Sequence, residues 1–383
     1  MNRISKTNTM HPRIPRFLQS LHNILTRDLT WDDLNKSLNE DMRGMYEFYA
    51  RSMKSVEGER NGIKRSIKFV WHLFVAFLLK LTPPRRLMYA IAFVFIIVAM
   101  SEGKTASAVY SFVIVTFLLA MELADKLITK DELGVARDIQ LSLQPTSDAK
   151  IPGYELIAHS EAAKQVGGDY YDILNLPDSS TLAVIGDVSG KGISSALYVV
   201  KMQTALQLFA TETNDPRELL IRLNSHVYGQ LKRNYFLSLF LVKLHSDGNV
   251  ELCRAGHPPA LLRRAVDNSI TWLKPNGIAV GMAPSFNGGV DSEQKSICFN
   301  GSLETQSIKL DQGDVLFLFT DGVIESVDTD GKEYGLDRIA ELIKYCAGET
   351  VEQMRQHIIS GLSQHRAGAD LRDDTTFVLL KRI

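Results

Sequence analysis

Four short acidic segments lie far apart in the last two-thirds of the sequence, and each carries ligands that suit a metal ion. In every segment an aspartate stands beside a glycine, a second aspartate or a small hydroxyl residue. Hard divalent cations such as Mg²⁺ and Mn²⁺ prefer oxygen ligands, and neighbouring glycines let the backbone approach an ion closely. The four segments are residues 167–172 (GGDYYD), 186–192 (GDVSGKG), 319–323 (FTDGV) and 373–376 (DDTT).

A single Asp-Gly pair usually marks only a turn or a hairpin. The first three segments, however, lie in or next to apolar runs that favour β-strands. Carboxylates at strand ends can converge in space although they are separated in sequence. The ordered set of four therefore predicts one metal centre.

Such a centre would suit phosphoester hydrolysis. Two metal ions about 3.5–4 Å apart neutralise phosphoryl oxygens and activate a water for in-line attack, so no protein nucleophile is needed. The sequence agrees, because it has no Gly-x-Ser-x-Gly motif and no Cys-x5-Arg loop around Cys253, Cys298 or Cys346. Residues 186–192 are not a nucleotide-binding P-loop, which needs four residues between its glycines and a Ser or Thr after its lysine.

Further motifs at 136–145, 255–259, 310–314 and 334–336 accompany the acidic segments in one order. Together they resemble the bacterial branch of the metal-dependent protein phosphatases (PPM, protein phosphatase 2C-like), of the sporulation stage II E and sigma-factor-regulator type. The resemblance covers roughly residues 130–383, and the first 120 residues contribute nothing to it.

The resemblance implies an α+β fold, a β-sandwich flanked by helices. The pattern along the chain agrees, because short β-prone runs alternate with helical segments near 192–213, 216–232, 336–347 and 350–364. Nine strands are predicted, at 154–160, 171–176, 181–187, 236–244, 250–255, 260–262, 307–310, 315–320 and 376–380.

The resemblance also implies ligand roles for two Mn²⁺ or Mg²⁺ ions. Asp187 would bridge both ions, with the Val188 carbonyl as a backbone ligand. Asp169 would lie at one ion, directly or through water, and Asp321 would bind one ion. Asp187 and Asp169 are therefore the residues expected to carry catalysis. The full predicted ligand set is Asp169, Asp187, Val188, Asp321, Asp373 and Asp374.

Within the last pair the family pattern favours Asp373 as the ligand and leaves Asp374 open, either as a ligand or as a turn residue that orients its neighbour. Asp172 is interpreted as a supporting residue. Residues 188–191 hold no histidine that could protonate the leaving alcohol, so that acid and the phosphate-binding group stay unassigned. Lys191 could contact phosphate or be a solvated loop residue, and His257 is interpreted as structural.

Composition limits the remaining possibilities. A chain of 383 residues predicts two or three units, and 45% hydrophobic with 23% charged residues indicates a folding chain. A net charge of −1 gives no reason to expect nucleic acid as a partner. Three widely spaced cysteines argue against a disulfide framework and favour a reducing cytosol for the C-terminal part.

Two apolar stretches, 87–101 and 106–122, predict a transmembrane hairpin. Arg85 and Arg86 precede the first stretch and two lysines follow the second, which places both termini in the cytosol by the positive-inside rule. The alternative is a buried helical hairpin of a soluble sensor domain, but neither stretch has a polar face. A third stretch, 69–81, is interpreted as an interfacial helix.

Residues 122–143 have a helical pattern, and proline at 145 ends it. The resemblance implies a linker helix that can form a homodimer, and an ordinary amphipathic helix packed on its own domain is the alternative. The predicted organisation is a helical region 1–65, an apolar region 66–122, a linker helix 122–145 and a phosphatase domain 146–383.

The resulting functional prediction is a serine/threonine phosphoprotein phosphatase in bacterial signalling, held at the cell (inner) membrane with its phosphatase domain in the cytoplasm. Two metal ions would activate the attacking water. Family resemblance suggests a phosphorylated protein substrate such as an anti-sigma-factor antagonist. The alternatives are a catalytically silent module that binds phosphoproteins, and an enzyme for another phosphoester such as a nucleotide.

Overall fold

The computed structural model describes residues 74–75, 78–79, 81–145, 151–232, 234–285 and 298–383. The helical region predicted for 1–65 and most of the stretch 69–81 lie outside the described residues. The chain divides into two compact units, Met1–Lys126 and Leu127–Ile383. The four-part organisation inferred from the sequence remains a prediction.

Two long apolar helices dominate the described part of the first unit. Helix α1 spans Pro83–Glu102 and ends at Gly103, which adopts a left-handed conformation, and helix α2 runs without interruption over Thr105–Leu143. The Ser111 hydroxyl donates to the carbonyl of Ala92, and so joins the two helices. Both helices are long and apolar enough to cross a membrane.

The second unit contains two five-stranded antiparallel sheets. Sheet A has the order β1-β10-β9-β6-β7, and sheet B has the order β2-β3-β4-β5-β8. The strands are β1 Tyr154–Glu161, β2 Asp169–Asn175, β3 Thr181–Val188, β4 Leu237–Leu244, β5 Asn249–Ala255, β6 Ala260–Arg263, β7 Ile270–Leu273, β8 Thr305–Lys309, β9 Val315–Phe319 and β10 Thr375–Arg382.

Helices cover the two sheets from outside. They are α3 Ile193–Ala210, α4 Pro216–Val227, α5 Phe299–Ser302, α6 Asp321–Ile324, α7 Gly335–Tyr345 and α8 Val351–Arg366.

Alternation along the strands divides the core into three clusters. Residues such as Ile185, Phe240 and Val378 fill the space between the sheets. Their sequence neighbours point outward, so that sheet B packs on α3 and α4 while sheet A packs on α7 and α8. This two-sided burial explains why most of the strands are apolar on both faces rather than alternating with polar residues.

All nine predicted strands are present, which confirms those predictions. The sequence analysis missed β7, a four-residue strand with only its last residue buried, and the short helices α5 and α6. All three are too short to produce a clear periodic pattern, so contacts with the rest of the fold determine them.

Candidate metal centre

Asp169 and Asp187 lie side by side at one end of the paired strands β2 and β3 in sheet B. They are direct partners in the antiparallel register of β2 and β3. Asp187 follows Ile185 by two residues, so its side chain lies on the face that packs between the sheets. The two carboxylates therefore continue the inner face of the sandwich beyond its apolar core.

Sheet A brings hydroxyl groups to the same place. The Thr320 hydroxyl, directly after β9, donates to Oδ2 of Asp169 over 2.8 Å. The Thr376 backbone N–H donates to the Thr320 hydroxyl, and the Thr376 hydroxyl is 2.8 Å from that of Ser160. These contacts hold the buried Asp169 carboxylate in one orientation.

Asp374 fixes the glycine-rich segment that leads into β2. One of its carboxylate oxygens accepts the backbone N–H of Ala163 over 2.7 Å, and the other accepts that of Gly168 over 2.6 Å. Both oxygens are thus used by backbone donors of the 163–168 loop. Asp374 is therefore arranged to position the loop that carries Asp169.

Asp321 and Asp373 complete the acidic group from the other side. Asp321 opens helix α6 directly after Thr320, and Asp373 precedes β10. Lys191 forms a 2.6 Å ion pair with Asp373 and also donates to the backbone carbonyl of Arg372. Lys191 therefore binds a candidate ligand, which neither interpretation of this residue from the sequence had foreseen.

The raised pKa values of the clustered carboxyl groups favour binding of a cation. Burial, with Asp321, Asp373 and Asp374 nearby, raises the pKa of Asp187 to about 7. Burial, followed by the charge of Asp187, also raises the pKa of Asp169 well above its usual range. Carboxylates that resist ionisation because they are desolvated and crowded are stabilised when a divalent ion replaces their protons.

The spacing of the carboxylates argues against a single ion held by all of them. Among the described residues, no three of these aspartates bring oxygens all within 4.8 Å of one another. The cluster offers carboxylate and hydroxyl oxygens, which are the donors that hard divalent metals prefer.

Gln140 is a positioning residue that the sequence analysis missed. Its side chain on α2 donates to the carbonyl of Gly167 over 2.8 Å and accepts the N–H of Gly167 over 3.2 Å. Gly167 lies two residues before Asp169, so the two hydrogen bonds fix the start of β2. A glutamine within a helical pattern gives no signal of such a contact.

We predict that Gln140→Ala weakens Mn²⁺ binding about tenfold, because groups that orient metal ligands typically contribute that much. Titration calorimetry with Mn²⁺ measures the effect. Ser142→Ala is the matched control, since its exposed hydroxyl bonds only the nearby Ile139 carbonyl. Equal affinities for the two variants would contradict this role of Gln140.

Gly322 has no room for a side chain, because a Cβ there would lie 1.9 Å from the carbonyl oxygen of Asp374. We predict that Gly322→Ala lowers the free energy of unfolding by about 2–3 kcal/mol, since the rigid backbone must shift. Gly134→Ala on α2 meets no atom within 4 Å and should stabilise by up to about 1 kcal/mol. Chemical denaturation of both variants tests this contrast, and a harmless Gly322→Ala would refute it.

Two other residues singled out in the sequence do not belong to the acidic cluster, although His257 lies close to it through Ser238, the register partner of Asp187. Asp172 accepts hydrogen bonds from Tyr170 and Gln207 on the helix side of sheet B. His257 is buried and 2.9 Å from the hydroxyl of Ser238, and burial lowers its pKa to about 3. His257 is therefore a neutral side chain inside the fold.

Solved structures define the class of this fold. The SiaA-PP2C domain of Pseudomonas aeruginosa superimposes with a TM-score of 0.56 at 19% identity, over 68% of this chain and 99% of that domain. The second unit thus has the PP2C-like phosphatase fold, two sheets flanked by helices, as the sequence predicted.

The family follows from the sequence comparison. The family model of Stage II sporulation protein E (SpoIIE) matches residues 177–383, more than half of the chain. The chain therefore belongs to the SpoIIE family, and the resemblance noted in the sequence is confirmed.

Two curated relatives align with about two-thirds of the chain. Protein IcfG of Synechocystis sp. (strain ATCC 27184 / PCC 6803 / Kazusa) is 26% identical in an alignment of 298 residues that covers 69% of this chain and 43% of IcfG. Phosphoserine phosphatase RsbU of Bacillus subtilis (strain 168) is 28% identical over 254 residues, which are 66% of this chain and 70% of RsbU. The chain thus spans less than half the length of IcfG.

Proposed function

We propose that this protein is a metal-dependent serine/threonine phosphoprotein phosphatase of bacterial signalling. The observation that carries the proposal is the convergence of four carboxylates. Asp169 and Asp187 are register partners at one end of β2 and β3, and Asp321 and Asp373 lie near Asp187. Membership of the SpoIIE family and similarity to a relative named phosphoserine phosphatase support it.

Two Mn²⁺ or Mg²⁺ ions bound here would supply charge neutralisation for the phosphoryl group and activation of a water. Asp187, central to the mutual repulsion in the cluster, is the proposed bridging ligand, and the Val188 carbonyl lies beside it on β3. Asp169 is oriented by the Thr320 hydroxyl. Asp321 provides a further carboxylate at the start of α6.

Within the last pair, we assign the ligand role to Asp373 and the positioning role to Asp374. Both Asp374 oxygens already accept backbone N–H groups, whereas Asp373 faces Lys191 across an ion pair that a metal ion can replace. Lys191, once released, would be available to the phosphate group of a substrate. That assignment gives the centre a cationic side chain where the sequence offered no arginine.

The proposed substrate is a phosphorylated regulatory protein such as an anti-sigma-factor antagonist, as the family resemblance of the sequence suggests. A catalytically silent module is disfavoured because the aspartates of the cluster are all present. A phosphatase of nucleotides remains the competing enzyme class, and the assay below separates it.

The test is hydrolysis by the full-length protein of p-nitrophenyl phosphate, a phosphoserine protein and a nucleotide, each with Mn²⁺, with Mg²⁺ and with EDTA. We expect metal-dependent release of phosphate from the phosphoprotein and none in EDTA. Preference for the nucleotide would replace the proposed substrate class. Absence of activity from folded protein with every metal would favour the binding module.

We further propose that α1 and α2 hold the enzyme at the cell membrane. In the most apolar 18-residue stretch of each helix, the protein buries only 6% of α1 and 17% of α2. Lipid is therefore the natural cover for the remaining apolar surface. The phosphatase domain would lie on the cytoplasmic side, together with Arg85 and Arg86. Recovery of the native protein in a carbonate-washed membrane fraction tests this, and release into the soluble fraction would contradict it.

The last part of α2 is the proposed homodimer interface. Ile128, Val135 and Ile139 are each more than half exposed and recur at helical spacing. Two copies of such a stripe bury each other in a coiled coil. Analytical ultracentrifugation of the protein with Val135→Asp and Ile139→Asp should show monomers where the unaltered protein forms dimers.

A further inference from the structure

A second group of potential metal ligands lies at the turn between α7 and α8, away from the aspartates. Cys346 directly follows α7, Glu349 lies in the turn, and His357 lies in the second turn of α8. One ligand atom from each residue lies within 4.8 Å of the other two. We propose that Cys346, Glu349 and His357 bind a transition-metal ion of the Zn²⁺ class.

The ligand separations suit a tetrahedral ion. Cys346 Sγ is 3.8 Å from His357 Nδ1, and His357 Nδ1 is 2.9 Å from Glu349 Oε2. With Zn–S and Zn–N bonds of about 2.3 and 2.0–2.1 Å, a tetrahedral angle separates sulfur and nitrogen by about 3.6 Å. The nitrogen and oxygen need to separate by about 0.4 Å more, which small side-chain rotations provide.

The scaffold holds these residues in place without the ion. Thr350 caps α8 through a reciprocal capping box with Gln353, which fixes the helix start between Glu349 and His357. The Lys381 ammonium donates to the backbone carbonyl of Glu349 and ties the turn to β10. A preformed arrangement lowers the entropy that metal binding would otherwise cost.

The site is separate from the aspartate cluster. Lys381 stands six residues after Thr375, where β10 begins beside the aspartates. At about 3.3 Å per strand residue, the two ends of β10 are about 20 Å apart. An ion at the turn would therefore brace α7 against α8 and would not contact a phosphate at the aspartates.

Ligand chemistry and exposure favour a borderline-soft metal over Mn²⁺ or Mg²⁺. Thiolate and imidazole select Zn²⁺-class ions, whereas the hard ions prefer oxygen. Cys346 is fully buried, but the His357 side chain is 45% exposed, which leaves an entry path and room for water as a fourth ligand.

Coordination must displace the thiol proton. Burial, followed by the negative charge of Glu349, raises the pKa of the Cys346 thiol to about 12. The positive charge of Arg263 acts in the opposite direction. A coordinating ion replaces the thiol proton, which passes to solvent.

The experiment is a Co²⁺ titration of the full-length protein carrying Asp187→Asn, followed by optical spectroscopy. Co²⁺ bound to a thiolate gives a sulfur-to-metal charge-transfer band that oxygen ligands cannot produce. We expect one such ion per chain, displaced by Zn²⁺ and unaffected by excess Mg²⁺. Because this readout does not use phosphatase activity, it stands apart from the proposed function.

Variants identify the ligands. Cys346→Ser should abolish the band, and Cys253→Ser, a buried cysteine elsewhere, should retain it. Glu349→Gln and His357→Gln should each weaken Co²⁺ binding at least about tenfold, and both side chains are exposed enough for these variants to fold. Absence of the band from folded protein, its survival in Cys346→Ser, or unchanged affinity in both of the other variants would overturn the proposal.

Discussion

Asp187→Asn is expected to lower kcat for phosphoester hydrolysis by at least about 10³-fold, which corresponds to about 4 kcal/mol of transition-state stabilisation. Burial, together with the negative charges of Asp321, Asp373 and Asp374, raises the pKa of Asp187 to about 7. An amide keeps the size and shape of the side chain but loses the charge that would bridge two cations. Initial rates at saturating Mn²⁺ measure the effect.

The matched control is Asp247→Asn, the same substitution on an exposed turn. Its carboxylate accepts hydrogen bonds only from the nearby Asn249, so activity should stay within about twofold. Circular dichroism should show both variants folded. Retention of more than a tenth of the activity by folded Asp187→Asn would remove Asp187 from the proposed bridging role.

The second large effect is on stability without metal. In EDTA, the free energy of unfolding should fall as pH rises from 5 to 8, and Mn²⁺ should restore it at pH 8. The folded protein holds the Asp187 proton with a pKa of about 7, whereas the unfolded chain releases it near 3.8. At about 1.4 kcal/mol per pKa unit, the titration of Asp187 between pH 5 and about pH 7 lowers the free energy of unfolding by up to about 3 kcal/mol.

The sign follows from proton binding. A carboxyl group with a raised folded-state pKa binds more protons in the folded state than in the unfolded state between the two pKa values. Stability is therefore fully present below pH 4 and is lost progressively up to about pH 7. The raised pKa of Asp169 acts in the same direction.

Urea denaturation in EDTA at pH 5, 6, 7 and 8 measures this dependence. Asp187→Asn should flatten the pH profile, exceed the unaltered protein in stability at pH 8 and gain less from added Mn²⁺. Asp247→Asn should follow the unaltered protein at every pH. Equal metal-free stability at pH 5 and pH 8 would contradict the crowding of charge inferred for the cluster.

Local sequence patterns determined the strands and the family. Alternating and apolar runs predicted nine of the ten strands, because most of these strands bury most of their residues and their composition reports that burial directly. The two-residue spacing of Ile185 and Asp187 also places them on a shared face, since side chains alternate along a strand. The roles of the candidate metal residues were predicted through the family resemblance.

Only the tertiary structure decided how these residues divide their work. The contrast between Asp373, paired with Lys191, and Asp374, bound to backbone N–H groups, arises from loops more than 180 residues apart in sequence. The Gln140 side chain likewise donates a hydrogen bond to the carbonyl of Gly167, which lies 27 residues further along the chain. Hydrogen bonds of single side chains leave no periodic signal, because they depend on where distant segments meet.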